Sequence, residues 1–187
     1  MSGVTLATST TSDIAKTEGK ACTVGQFISE ADGWKIVNVA ATWEGTPYGR
    51  VGAASQKGVL GDCSGSTNKI YNEAGFPYPY QSTGSFAAFA SKTNQFRQID
   101  PSKQPLQAGD ILLWPGHMAI YAPFPSDNPK YDGGLFKHGV KKYNNMYTAF
   151  NNRTGKPYGP YNIEVFRGDP YTVYRYFTMT TPENCNP

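Results

Sequence analysis

Apolar positions between Gln26 and Ala40 recur near helical spacing, through Phe27 and Ile28 and then Ile36, Val37, Val39 and Ala40. Asp32-Gly33 interrupts the run, so one or two helices are predicted there. Gly45-Thr46-Pro47-Tyr48-Gly49 breaks the pattern and opens a loop that reaches Gly61. The next run is the most legible helix in the chain. Cys63, Thr67, Ile70, Tyr71 and Ala74 fall at i, i+4, i+7, i+8 and i+11, behind Asp62 as a good N-cap residue. Gly75 stands where a left-handed C-terminal cap belongs, and Pro77 forbids continuation. Cys63 is therefore expected in the first turn of a helix. A second short helix is expected from Ser85 to Lys92.

After Arg97 the pattern turns to strands. Gln107-Ala108-Gly109-Asp110 reads as a turn, Ile111 to Trp114 as a short apolar strand, and Pro115-Gly116 as a second turn. His117-Met118-Ala119-Ile120-Tyr121 follows as a strand with His117, Ala119 and Tyr121 on one face. Residues 122–146 are rich in Pro, Gly, Asn and Lys and read as an excursion inserted into the sheet. Met146 to Phe150, Ile163 to Phe166 and Tyr171 to Phe177 are the remaining predicted strands. Helices first and antiparallel strands after predict an α+β fold, with N-terminal helices packed on a C-terminal sheet. Residues 1–20 read as a flexible polar leader and 21–187 as a single domain.

Composition narrows this picture. Charged residues make up 17% of the 187, against about 25% in ordinary globular chains, which argues against a disordered charged tail. The 17 basic and 14 acidic residues give a net charge of +3, too small and too evenly spread for a nucleic-acid partner. The one basic cluster is Lys137, Lys141 and Lys142. A weakly positive surface suits approach to an anionic polymer such as a bacterial cell wall. No apolar run approaches the ~18–20 residues of a membrane span. Met1 to Lys20 lacks the basic start and apolar stretch of a secretory signal. The expectation is synthesis in the cytoplasm without a cleaved signal.

Three cysteines, Cys22, Cys63 and Cys185, make an odd count, and without paired Cys spacing and with only His117 and His138 a zinc site is not expected. One bridge and one free thiol are the usual outcome outside the cytoplasm. Cys22 and Cys185 flank the domain, so a Cys22–Cys185 disulfide is one expectation and two unpaired thiols the other. Cys63 is placed for chemistry, because unpaired N–H groups and the dipole at a helix start favour a thiolate and can hold an oxyanion. Its base must be His117 or His138. His117 begins a strand after a tight turn, so its ring is free to project from the sheet edge, whereas His138 lies in the irregular excursion. Asp110 and Glu164 suggest a carboxylate pair only in the abstract, since nothing in the sequence places them together. Phosphate loops, dinucleotide fingerprints, His-Glu-x-x-His and Gly-x-Ser-x-Gly elbows do not occur.

The runs Gly45-Thr46-Pro47-Tyr48, Asp62-Cys63-Ser64-Gly65, Leu106-Gln107-Ala108-Gly109-Asp110-Ile111-Leu112 and His117-Met118-Ala119-Ile120-Tyr121 resemble, in order and rough spacing, the NlpC-type papain-like cysteine peptidases. The resemblance covers residues 34–121 well and 147–177 loosely. It implies a papain-like fold that needs no cofactor and cleaves peptidoglycan stem peptides, with the γ-D-glutamyl to diamino acid bond as the expected target. It makes Cys63 the nucleophile and His117 the general base. Tyr48 would border the cysteine, and Asp62 and Ser64 would shape the start of the helix where the oxyanion is bound.

In that family a third polar residue on the strand after the histidine orients the imidazole. Here the 122–146 excursion delays that strand, and Asn151 is the expected residue, with Asn152 as its neighbouring alternative. A compact catalytic domain for which no signal peptide, wall-binding repeat or transmembrane segment is expected resembles amidase effectors injected by type VI secretion. That points to a toxin acting in the periplasm or wall of a target bacterium, with a cognate immunity protein as partner. Three rivals stand beside this reading. They are a phage-associated wall hydrolase, a Cys–His acyltransferase or deamidase acting on a protein, and a wall-binding module that keeps the fold without catalysis.

Overall fold

A computed structural model describes residues 23–150 and 156–181. The described residues begin with strand β1 (Val24–Phe27) and helix α1 (Glu30–Ala41), followed by helices α2 (Cys63–Ala74) and α3 (Phe86–Thr93). Strands β2 (Phe96–Ile99), β3 (Ile111–Trp114) and β4 (His117–Tyr121) come next. The excursion forms a separate hairpin, β5 (Leu135–Lys137) and β6 (Val140–Lys142). The chain returns to the sheet with β7 (Met146–Thr148) and β8 (Gly159–Tyr161), then makes helix α4 (Ile163–Phe166) and the long strand β9 (Thr172–Thr180). The fold is mixed α/β around one antiparallel sheet, ordered β1-β9-β3-β4-β7-β8, with β2 also paired to β9.

Helices do not all precede strands. Gln26 and Phe27, expected within a helical pattern, belong instead to β1, which pairs with β9 from Val24–Thr180 to Phe27–Phe177. Local periodicity does not see a partner more than 150 residues away. Residues 163–166, expected as a strand, form α4 instead, because Asn162 Oδ1 accepts from Val165 N at 2.9 Å and caps a helical turn.

The sheet buries both faces. On one, Met118 and Ile120 of β4 join Ile36 of α1, Ile70 of α2 and Phe86 of α3 in a single core. On the other, Leu112, Trp114, Ala119 and Met146 pack with Ile163 of α4. Edge-to-face rings stiffen the helical side: Phe96 lies 4.9 Å from Phe86, 5.0 Å from Tyr78 and 5.1 Å from Tyr176. Asp110 closes the turn into β3 and meets Arg175 of β9 in a buried bidentate pair, at 2.7 and 2.8 Å. Asp110 is thus an architectural partner of Arg175 and has no pairing with Glu164, whose carboxylate meets Lys142. Cys22 and Cys185, the expected disulfide partners, lie outside the described residues.

Candidate active site at the start of α2

Asp62 starts α2. One carboxylate oxygen accepts from Gly65 N at 2.8 Å, which caps the helix, and the other accepts from Gly52 N at 2.6 Å, which ties the preceding loop to the same point. Gly65 allows this closeness: a Cβ there would stand 2.0 Å from the Gly52 carbonyl oxygen. Ser66 and Thr67 return their hydroxyls to the carbonyls of Asp62 and Cys63 at 2.6 and 2.7 Å. A short parallel bridge between Tyr48 and Gly61 brings the Gly-Thr-Pro-Tyr loop alongside. The Gly-Thr-Pro-Tyr and Asp-Cys-Ser-Gly runs therefore meet at Cys63.

Cys63 is a free thiol, 7% exposed. The backbone N–H groups of Met118, Ser64 and Cys63 itself face its sulfur and favour the thiolate, while burial opposes it more strongly. The net result is a thiol pushed up to about 11. The sequence predicts the opposite direction from the helix start alone. Burial wins because the sulfur sits beneath the β4 backbone rather than in an open cleft. Tyr48 borders the thiol: its phenol is raised by burial, then by the neighbouring Cys63 and Asp62. Ser64 Oγ bonds Tyr80 Oη at 3.2 Å, so this side chain is spent on packing, and only its backbone N–H looks toward sulfur.

His117 is 6% exposed. Its ring lies against Phe166, with centroids 4.4 Å apart, and near Trp114 at 5.9 Å. Burial first, and then the Arg167 charge, hold the imidazole down at about 3. At rest both groups are therefore uncharged, and β4 separates them. Cys63 packs in the core on the helical face with Met118 and Ile120. The His117 ring, expected to project from the sheet edge, is buried on the opposite face against Trp114 and Phe166. Among the described residues no hydrogen bond joins Cys63 Sγ to the His117 ring. The two meet through one peptide residue: Met118 turns its N–H to the sulfur, and its carbonyl accepts from Thr148 Oγ1 at 2.8 Å.

Thr148 is the residue that sequence reasoning missed. Its Oγ1 lies 2.9 Å from His117 Nε2, 2.8 Å from the Met118 carbonyl and 3.2 Å from the Ala149 carbonyl. A hydroxyl has one proton, and carbonyl oxygens only accept. The proton therefore goes to a carbonyl, Oγ1 accepts from Nε2–H, and the lone pair of the neutral ring resides on Nδ1. The register Ile120–Tyr147 and Tyr121–Met146 is what carries Thr148 to the His117 end of β4. The strand was legible in the sequence, but its register was not. Asn151 and Asn152 lie outside the described residues. His138 sits in the β5–β6 turn with φ of 50°, away from Cys63.

Among the described residues no group of three or more His, Cys, Asp or Glu is gathered as a metal site requires, and no helix is long and apolar enough to cross a membrane. Comparison with family models and with curated proteins finds no match to the chain.

Proposed function

We propose that this chain is a papain-like, NlpC-type cysteine hydrolase of peptidoglycan stem peptides. The observation that carries the reading is the meeting of the Tyr48 loop and the Asp62-capped start of α2 at Cys63, with backbone N–H groups facing its sulfur. Sγ attacks an amide carbonyl carbon and its proton passes to His117, which requires the imidazole to leave its place against Phe166 and reach the Cys63 side of β4. The carbonyl becomes an oxyanion held by N–H groups at the start of α2. Collapse expels the amine, which takes the proton from the imidazolium, and leaves a thioester. Water then adds to the thioester, returning a proton to sulfur and releasing the acid. No cofactor enters this cycle. At rest Thr148 accepts from Nε2–H, which leaves Nδ1 as the basic nitrogen of the ring.

The γ-D-glutamyl to diamino acid bond is the proposed target, and delivery into a target bacterium as an antibacterial effector, checked by an immunity protein, is the proposed setting. Deep burial of both groups favours one other reading, a wall-binding module that keeps an inert thiol. Mass spectrometry of muropeptides decides between them. The hydrolysis reading expects new stem-peptide fragments with the wild type and none with Cys63→Ala at equal folding. Unchanged muropeptides with both proteins, alongside sedimentation with intact walls, would establish the module instead.

A further inference from the structure

Tyr121 ends β4 on the face that also bears His117 and pairs with Met146, and Asn145, just before β7, lies across from the next residue, Ala122. Tyr121 and Asn145 both line a cavity of about 540 Å³ on one side and a second of about 400 Å³ on the other. Each is of a size that takes a small molecule. The first cavity is floored by Leu106 and Tyr171, and the second is walled by Tyr131 and Tyr143. Those two tyrosines stack with centroids 4.2 Å apart and planes 9° from parallel, and Tyr143 is 37% exposed.

What the groove leaves unspent is neutral. Asn145 Oδ1 accepts from Ile163 N at 2.9 Å, and its Nδ2 has no partner among the described residues. Tyr121 Oη likewise has none among the described residues, although the ring is half-buried. Of the cations at the rim, Lys142 meets Glu164, Lys141 Asp132 and Arg167 Asp169, and Lys137 Nζ is spent on the Glu164 carbonyl, beside the same carboxylate that faces Lys142. An anionic ligand would gain little from cations so paired. A ligand with hydroxyl and amide groups and apolar ring faces would gain from the phenol, the carboxamide and the exposed aromatic faces.

We infer that the two cavities joined at Tyr121 and Asn145 form a groove for a neutral N-acetylated glycan. This extends the proposed activity from the peptide to the sugar part of the same polymer and rests on that reading for its biological sense, but not for its test. The probe is a soluble chitin oligosaccharide, titrated by calorimetry into full-length Cys63→Ala, which lacks the thiol and keeps the groove. Saturable binding is expected. Adding Tyr121→Phe, which removes only the hydroxyl, should weaken it about fivefold, the worth of one neutral hydrogen bond. Adding Asn145→Asp, which keeps the acceptor for Ile163 N and loses the Nδ2 donor, should weaken it by a similar factor. Absence of saturable binding at millimolar oligosaccharide overturns the groove, as does binding that neither added substitution alters. Glycan binding by a chain that cleaves no muropeptide would overturn the proposed hydrolysis alone. Cleavage without glycan binding would overturn the groove alone.

Discussion

At the scale of single residues the site is defined by burial acting against charge. His117 is held near 3 in the folded chain and returns to about 6.5 when unfolded, so between those values the unfolded chain binds more protons. Stability is therefore complete above about pH 6.5 and falls as pH drops toward 3. The slope approaches 1.4 kcal/mol per pH unit, at about that size for a single proton. Cys63 behaves in the mirror sense: its raised folded value keeps stability below the unfolded thiol value of about 8.5 and loses it as pH climbs toward 11. Denaturant melts across pH should show a plateau between these limits, with the acid slope reduced in His117→Gln. Alkylation of native Cys63 by iodoacetamide should have its midpoint above 8.5; a midpoint below it would show a thiolate–imidazolium pair at rest. Thr148 has its own signature. Thr148→Val removes the acceptor for Nε2–H at nearly constant volume, so kcat should fall by about tenfold or more with KM little changed, and Thr148→Ser should restore it. Equal losses in the Val and Ser variants would reduce Thr148 to a packing residue.

At the scale of elements, α2 is set by its ends. Asp62 caps the first turn and ties in Gly52, and Gly75 closes the last turn at φ of 94°. Asp62→Ala should cost about 1–2 kcal/mol in chemical denaturation, the usual worth of an N-cap, and lower activity further by loosening the Cys63 turn. A stability loss with activity intact would show that the cap does not position the thiol. The excursion between β4 and β7 illustrates a different balance. Its basic residues, Lys137, Lys141 and Lys142, are the one basic cluster in the sequence. The β5–β6 hairpin turns Lys142 onto Glu164 and Lys141 onto Asp132, while Lys137 Nζ donates to the Glu164 carbonyl at 2.5 Å. Phe136 and Val140 remain exposed on the same hairpin.

At the scale of the whole molecule, β9 is the strand on which β1, β2 and β3 all converge, and Arg175 in its middle anchors the turn before β3 through Asp110. Arg175→Met leaves the Asp110 carboxylate buried without its partner and should cost about 3–5 kcal/mol, read as a lowered denaturant midpoint with unchanged m-value. A loss under about 1 kcal/mol would show that solvent reaches the carboxylate and that the pair is peripheral to the fold. The amino-acid sequence by itself determined α2 from cap to cap, the β3–β4 hairpin across Pro115-Gly116, and Cys63 in a first helical turn. Each is written in neighbours three or four residues apart, where spacing, caps and turn residues act without help from the rest of the chain. Tertiary structure alone decided that residues 24–27 are a strand, that Thr148 stands at the His117 ring, and that the thiol is pushed up rather than down. Those outcomes depend on register between distant strands and on how much water packing leaves beside a group, and neither quantity is local to any stretch of sequence.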